Sequence, residues 1–305
     1  MNRDTVLVTG SRGLIGGAVQ TLLEERGTRV IPIDLSPRAE DGRQTIECDI
    51  TDIHRLHTIV AGQDVGGIIH CGAYSGPMVA RDNPYAIVRV NVVGTANILE
   101  LARIHNIKRV VFCSSTSAYG STPPGLVPED VTLSPSSVYG ASKVAGEQLV
   151  SSYSKQHGVD GVSLRLSWVF GPNRTTDCLI RTLIQDAMAG RATRQPFGRN
   201  FYRQYIHVDD AARALVAALD QPRLPRHTYT VTGGTYHTLA EIGDAVRRIF
   251  PGADIAFGEG PDPVDDVQCQ FDISAAARDL GYRPSIGLEE GIRSYAEYLM
   301  GRSKA

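Results

Sequence analysis

A glycine-rich turn near the start of the chain, "TGSRGLIG", constrains the fold more than any other segment. It joins a short β-branched run at 5–10 to a helix-like segment at 13–27. Gly10, Gly13 and Gly16 allow a tight turn and a close backbone approach, while the first helical turn leaves N–H groups free at a positive dipole end. This setting predicts a site for the pyrophosphate of a dinucleotide, with a simple packing turn as the alternative.

Strand-like and helix-like segments then alternate along the chain. The further strand-like runs lie at 29–36, 45–51, 64–74, 109–120 and 161–171. Long helix-like segments between them lie at 83–106 and 138–157. Strands that alternate with helices form right-handed crossovers, and these runs are almost continuously apolar. We therefore predict an α/β fold, a Rossmann-type doubly wound parallel sheet covered on both faces.

The alternation loosens beyond about residue 172. The later segments are a strand-like run, a helix-like run with a Thr N-cap and Glu at N3, and a proline-rich acidic stretch, at 228–234, 238–250 and 259–266. We predict a dinucleotide-binding Rossmann domain and a smaller, interleaved C-terminal substrate lobe, formed by 1–172 with about 204–234 and by 173–203 with 235–305.

Two aspartates follow the second and third strand-like runs. Asp34 stands 18 residues after Gly16, where a carboxylate can accept hydrogen bonds from the ribose hydroxyls of adenosine and would repel a 2′-phosphate. This favours NAD over NADP, although nearby Arg38 could bind such a phosphate, and a capping or turn role for Asp34 is the alternative. Asp49, followed by Ile50, could accept from the adenine amino group or serve as a turn residue.

The composition excludes several classes of function. The 305-residue chain has a formal net charge of −2, so it offers no broad basic field for nucleic acid. No apolar run approaches the roughly 18 residues of a membrane span, and the N-terminal run leaves no room for a signal peptide, so we expect a cytoplasmic location. The five cysteines are scattered singly, which indicates neither a disulfide framework nor a metal site.

The segment "SPSSVYGASKVAGEQL" at 134–149 holds Tyr139 and Lys143, four residues apart and so on one face of a helix. An ammonium group beside a phenol stabilises the phenolate, and the pair could therefore be a general base with its charge partner. The same spacing also occurs by chance on exposed helix turns, so the pair alone does not decide between the two.

Further motifs lie in order along nearly the whole chain. Besides the glycine turn and Asp34, they are "HCGA" (70–73), "VNVVGT" (90–95), "SSTSAYG" (114–120), "YGASK" (139–143), "LRLSWVFGP" (164–172), "RQYIHVDD" (203–210) and "FDISAAARDLGYRP" (271–284). With these motifs the sequence resembles the extended short-chain dehydrogenase/reductase family, in particular its NAD-dependent sugar epimerase/dehydratase group. The resemblance implies an NAD-dependent enzyme that moves a hydride to or from a sugar-type substrate.

The resemblance also implies roles for individual residues. Tyr139 would be the base, Lys143 would support it and hold the nicotinamide ribose, and Ser115 would bind the reacting oxygen. Rival hydroxyls for the role of Ser115 belong to its neighbours Ser114, Thr116 and Ser117. Asn91 would prop the site or make a purely structural contact. The residues expected at the cofactor are Gly10, Arg12, Gly13, Leu14, Ile15, Gly16, Asp34, Asp49, Ile50, Cys71, Gly72, Ala73, Asn91, Tyr139, Lys143 and Pro172.

The substrate class rests on departures from the family pattern. Arg203 occupies a position that contacts the diphosphate of nucleotide sugars, but Trp168 replaces an expected asparagine and Asp262 stands near an expected arginine. Arg203 could then meet a substrate carboxylate, or form an ion pair with the Asp209–Asp210 pair. Dehydratases of the group carry an Asp-Glu pair after the Ser/Thr position, which this chain lacks.

We therefore expect the NAD-dependent oxidation of a secondary hydroxyl on a small sugar-type substrate, such as a free sugar, a sugar acid or a polyol. The expected substrate contacts are Tyr74, Ser115, Thr116, Trp168 and Arg203. A nucleotide-sugar 4-epimerase of the UDP-glucose type is the alternative, and a non-catalytic NAD sensor is a remote one. Because members of the family commonly dimerise through two long helices, the resemblance also implies a homodimer through the helices at 83–106 and 138–157.

Overall fold

The computed structural model describes residues 5–36, 43–76, 78–80 and 82–302. Its strands are β1 Thr5–Thr9, β2 Arg29–Asp34, β3 Ile46–Glu47, β4 Gly67–His70, β5 Arg109–Ser115, β6 Asp160–Leu166, β7 Trp168–Phe170, β8 Thr193–Gln195, β9 Tyr202–Arg203, β10 Tyr205–His207, β11 Thr228–Val231, β12 His237–Thr238 and β13 Ile255–Phe257. Its α-helices are α1 Leu14–Glu25, α2 Ile53–Val60, α3 Pro84–Val88, α4 Gly94–Ile104, α5 Val138–His157, α6 Leu179–Met188, α7 Val208–Asp220, α8 Leu239–Ile249, α9 Ser274–Leu280 and α10 Leu288–Arg302. A π-helical turn, Arg89–Val93, joins α3 to α4, and a 3₁₀ turn, Thr116–Ala118, follows β5.

The main sheet of the described residues has seven parallel strands in the order β11-β6-β5-β4-β1-β2-β3. β1 is buried along its whole length and pairs with β2 on one side and β4 on the other. The strand order reverses between β1 and β4, and sheets of this type bind ligands in the crevice outside the carboxyl ends at that point. The prediction of a Rossmann-type doubly wound α/β fold is confirmed.

Helices cover both faces of this sheet, as its apolar strands require. Successive strand residues point to opposite faces, so neighbouring residues of β1 enter different cores. Val8 belongs to the core that α1 and α7 cover, and Leu7 belongs to the core covered by α2, α4 and α5.

A smaller core lies in the C-terminal part, where α6, α8 and α10 bring together Leu183, Ile242 and Tyr295. α8 begins with the predicted capping box of Thr238 and Glu241. The chain passes repeatedly between sheet and lobe, because β11 pairs with β6 of the main sheet while β12 pairs with β9. The division into the two predicted domains stays a prediction.

Several predicted segments differ from the structure. The strand expected at 45–51 is only Ile46–Glu47, since the chain turns at Asp49 toward α2. The strand expected at 161–171 divides at Ser167, so that β6 stays in the main sheet while β7 pairs with β10. The helix expected at 83–106 contains the π-helical turn. Within the described ranges, no helix is long and apolar enough to cross a membrane.

Candidate active site

Glycines at the carboxyl ends of β1 and β4 form a cradle without side chains. Gly10 has a left-handed backbone with φ of +64°, and a Cβ on it would lie 2.8 Å from the backbone of Gly72. A Cβ on Gly16 would lie 2.1 Å from the carbonyl oxygen of Gly10. Because these contacts are with backbone, any larger residue would push the turn, α1 and the loop after β4 apart.

The N-terminus of α1 completes the cradle. Gly13 is its N-cap, and in the part of the chain that the structure describes no side chain caps the first turn, which also lacks acidic residues. The N–H groups of Leu14 and Ile15 are therefore open to an anion at the positive end of the helix. Pro172 lines, with Ser11 and Gly13, a groove of about 840 Å³ that runs along α1. The cradle fits the pyrophosphate of NAD.

Asp34 lies at the last position of β2, beside the glycine turn. Its carboxylate accepts a hydrogen bond of 3.0 Å from the backbone N–H of Arg12. This contact holds the carboxylate at the rim of the cradle, where the predicted contact with a ribose requires it. Arg38, the residue that could favour a 2′-phosphate, lies outside the described residues.

Asp49 and Ile50 follow β3, next to Asp34. Asp49 accepts a hydrogen bond of 2.8 Å from the N–H of Thr51 and lies 3.6 Å from the guanidinium of Arg89. It therefore makes the turn contact that was the alternative to adenine binding. Ile50 is buried and packs under Gly94, on which a Cβ would lie 2.6 Å from the Ile50 side chain. Adenine binding at this position stays a prediction.

The loop after β4, Cys71–Tyr74, is held against the cradle by two residues. The side chain of Thr9 accepts from the N–H of Gly72 at 2.9 Å. Asn91, in the π-helical turn, accepts from the Tyr74 N–H at 2.8 Å and donates to the Tyr74 carbonyl at 3.1 Å. Asn91 also donates to the Ser142 hydroxyl on α5 at 2.9 Å. It therefore links the loop, the π-helical turn and α5.

Tyr139 and Lys143 lie on the buried face of α5, not on an exposed helix turn. Tyr139 is 7% exposed and Lys143 is 4% exposed. α5 begins at the Ser137 cap, and its Gly140 allows a close approach to the loop after β5, since a Cβ there would lie 2.4 Å from the carbonyl oxygen of Ser117. This packing brings the pair to the carboxyl end of β5.

Lys143 is held in place by the strand beneath it. Its Nζ donates to the Cys113 carbonyl oxygen at 2.7 Å and lies 5.7 Å from the centroid of the Tyr139 ring. His70 lies on the neighbouring strand, where burial and the nearby ammonium of Lys143 lower the pKa of His70 to about 3. The imidazole is therefore neutral at ordinary pH and adds no positive charge to that of Lys143.

Ser115 ends β5 and caps the 3₁₀ turn that follows. Its hydroxyl accepts from the Ser117 N–H at 3.1 Å and lies 3.2 Å from the Ser117 hydroxyl. The rival Ser114 instead donates to the buried carboxylate of Glu147 at 2.5 Å. Ser114 is thus already engaged, while Ser115 lies at the end of the strand beside the Tyr139 helix.

A buried ion pair that the sequence reasoning missed supports this helix. Glu147 accepts three hydrogen bonds of 2.7 to 3.1 Å from Arg165 on β6, and the guanidinium of Arg165 lies 4.5 Å from the centroid of the Tyr119 ring. The sequence could have indicated that Glu147 lies on this buried face, because Glu147 continues the four-residue spacing of Tyr139 and Lys143 along the helix.

Arg203, which the sequence predicts to contact the substrate, has other partners in the structure. Its guanidinium donates to Asp262 at 2.6 Å and to Asp265 at 2.8 Å, and it lies 4.4 Å from the ring centroid of Trp168. The alternative of an ion pair with Asp209–Asp210 is wrong, because Arg203 pairs with these two later aspartates instead. Asp210 binds Arg213 and the N–H groups of Ser285 and Ile286, and the Asp209 carboxylate lies 3.5 Å from His207. The expected contact of Arg203 with a substrate carboxylate also finds the guanidinium already occupied.

The segment that carries Asp262 and Asp265 also contacts the loop after β5. The side chain of Gln268 donates to the Thr116 carbonyl at 2.8 Å and to the Gly120 carbonyl at 3.1 Å. Burial raises the pKa of Asp265 to about 6, although Arg203 opposes the shift. Sequence reasoning placed Thr116 and Trp168 at the substrate, and the structure places both beside this segment.

The fold, the glycine cradle and the buried tyrosine–lysine pair together define a dinucleotide-binding enzyme of the Rossmann type. The chain belongs to the NAD dependent epimerase/dehydratase family, whose sequence model matches residues 6–232. The family is NAD-dependent, so the predictions of an enzyme, of membership in the extended short-chain dehydrogenase/reductase type and of NAD as its cofactor are confirmed.

Similar proteins with named activities act mainly on nucleotide sugars. UDP-glucuronate 4-epimerase 3 of Arabidopsis thaliana is 28% identical over 342 residues, covering 97% of this chain and 76% of that protein. The UDP-glucose 4-epimerase of Thermus thermophilus, solved in complex with NAD, has a TM-score of 0.87 and 26% identity, covering 97% of this chain and 99% of that one. A partial consensus L-threonine 3-dehydrogenase has a TM-score of 0.88 and 25% identity, covering 97% and 99% of the two chains.

Proposed function

We propose that this chain removes a hydride from a secondary hydroxyl of a small sugar-type substrate, in an oxidation that depends on NAD. The observation that carries the chemistry is the grouping of Ser115, Tyr139 and Lys143 at the carboxyl end of β5, next to the glycine cradle. A hydroxyl, a phenol and a fixed ammonium are the groups that such an oxidation requires.

Each residue has one task in this proposal. Tyr139, as phenolate, takes the proton of the substrate hydroxyl, and Ser115 donates a hydrogen bond to the oxygen that becomes the carbonyl. Lys143 stabilises the phenolate by its charge, and its bond to the Cys113 carbonyl keeps that charge in place. NAD, when bound at the glycine cradle, would supply the hydride acceptor. Tyr139 returns the proton in the reverse direction.

The size of the substrate is proposed from Arg203. A diphosphate needs paired cations or several N–H donors when it leaves water. Arg203 is the cation that lines the crevice beside Thr116, and both Asp262 and Asp265 already bind it. A free sugar or a polyol places no such demand, whereas a sugar acid would compete with two aspartates for one guanidinium.

The alternative is a nucleotide-sugar 4-epimerase, and the named relatives support it better than they support oxidation of a free substrate. An epimerase would share the first half of the reaction and would then return the hydride to the other face of the keto intermediate. The observation that favours the smaller substrate is the occupied guanidinium of Arg203, and the similarity to an L-threonine dehydrogenase is consistent with a substrate that carries no nucleotide. Dehydration stays disfavoured, because Thr116 and Ser117 offer no carboxylate pair.

A substrate screen separates the two functions. Purified protein with NAD is mixed with free sugars, lactones, polyols and sugar acids in one set, and with UDP-glucose and UDP-glucuronate in another. Stoichiometric or catalytic release of NADH from the first set supports the dehydrogenase. Epimerised UDP-sugar without release of NADH contradicts it and establishes the epimerase. Tyr139→Phe is the matched control, since it removes the proton acceptor and keeps the ring.

Three further proposals accompany this function. A non-catalytic sensor is disfavoured because all three catalytic candidates are present. A homodimer through α3–α4 and α5 is proposed because members of the family commonly dimerise through these helices. A cytoplasmic location is proposed from the sequence. Size-exclusion chromatography with light scattering would test the dimer.

A further inference from the structure

The place where Arg203 lies is closed by its own ion pairs. One guanidinium faces two carboxylates, those of Asp262 and Asp265, and all three side chains are no more than 17% exposed. We call these three residues the Arg203 cluster. At neutral pH its formal charge is −1, so the cluster repels an anion although it contains an arginine.

The space around the cluster is small. Thr116, Ser167, Trp168 and Gln268 line the same crevice, whose cavity volume is only about 10 Å³, room for about one water molecule. The Trp168 ring covers one face of the Arg203 guanidinium. A phosphate group could reach the guanidinium only by breaking the bonds to both aspartates, whereas a single hydroxyl fits at the crevice without doing so.

A second observation in the crevice points to a neutral ligand group. The Ser167 hydroxyl lies in a residue that is 6% exposed, and within the described residues it has no hydrogen-bond partner. Buried hydroxyls without a partner are rare and mark a place where a polar group is expected to bind. A sugar hydroxyl, which both donates and accepts, would satisfy Ser167 without bringing a charge beside the Arg203 cluster.

We propose that the Arg203 cluster is a specificity device that excludes phosphorylated and carboxylated substrates, and that the crevice takes a hydroxyl of an uncharged polyhydroxy compound such as a free sugar, a lactone or a polyol. The inference rests on the proposed function, since it concerns the substrate of that same site. In this proposal Asp262 and Asp265 determine which substrates are excluded, although neither belongs to the proposed catalytic residues Ser115, Tyr139 and Lys143.

The test measures ligand binding without turnover, so its outcome is independent of whether the substrate has been found. UDP and inorganic pyrophosphate are titrated by calorimetry into NAD-loaded wild type, Asp262→Asn/Asp265→Asn and Asp266→Asn. Asp266 is the matched control, because it lines the same crevice and carries the same charge but accepts from the Ser136 hydroxyl at 2.9 Å and does not bind Arg203. We expect the double variant to bind both anions about tenfold more tightly than wild type, the gain of a newly available charge-assisted hydrogen bond. Asp266→Asn should change binding less than about threefold.

Three results of these titrations, and two results with further variants, would overturn the inference. The three titration results are micromolar binding of UDP by wild type, a double variant that binds NAD normally without gaining affinity for either anion, and an equal gain in Asp266→Asn. Adding Arg203→Gln to the double variant should abolish the gain, and persistence of the gain would also refute the role of Arg203. If the double variant is unstable, Asp262→Asn alone should still tighten UDP binding, by about threefold, and no change would refute the inference. Failure of the proposed function would appear separately, as no release of NADH with any hydroxyl compound.

Discussion

Lys143 offers the sharpest test of the proposed chemistry, because the structure gives the distance over which its charge acts. The ammonium lies 5.7 Å from the centroid of the Tyr139 ring. At an effective dielectric constant of about 20, a unit positive charge at this distance stabilises the phenolate by about 3 kcal/mol. Lys143→Met removes the charge and keeps much of the apolar stem. We expect the rate of hydride transfer at saturating NAD to fall by about a hundredfold.

The measurement is single-turnover formation of NADH by stopped-flow absorbance, with the substrate that the screen identifies. Lys143→Met also leaves the Cys113 carbonyl without its donor, which should lower the free energy of unfolding by about 1–3 kcal/mol, so thermal unfolding is followed in parallel. Lys155→Met is the matched control, because Lys155 is exposed on the same helix. A folded Lys143→Met variant that keeps its rate within about fivefold of wild type would show that the charge of Lys143 does not support the base.

Three other predictions use Tyr139, Asp34 and Asp265. Tyr139→Phe should lower turnover by about two to four orders of magnitude while NAD binding, measured by calorimetry, persists; near-normal turnover would show that another group is the base. Asp34→Ala should narrow the preference for NAD over NADP in kcat/KM, because it removes a ribose acceptor and the repulsion of a 2′-phosphate; a wild type that uses both cofactors equally would refute this role. Burial raises the pKa of Asp265 to about 6, so the stability contributed by its protonated form is full below about pH 4 and is lost as the pH rises through 6. The unfolding free energy of Asp265→Asn, measured relative to wild type, should therefore rise by up to about 3 kcal/mol as the pH increases from 4 to 7. A difference between the two proteins that does not vary with pH would contradict the raised pKa of Asp265.

Features that depend on near neighbours in the chain could be predicted from the sequence alone. The glycine turn specifies a strand, a tight turn and a helix within one short segment, because only glycine permits the contacts of Gly10 and Gly16. The capping box of α8 and the shared helix face of Tyr139 and Lys143 follow equally from fixed local spacing. Alternation of such segments was enough to predict the parallel sheet.

Contacts between distant segments were decided only by the tertiary structure. Arg203 binds carboxylates 59 and 62 residues away rather than the aspartates beside it in sequence, and Ser114 binds Glu147 across 33 residues. The strand expected at 161–171 divides because β7 finds a different partner from β6. Local sequence sets which groups a segment presents, but the path of the whole chain sets which partners come within hydrogen-bonding distance. The net charge around Arg203, and with it the proposed substrate class, depends on that path.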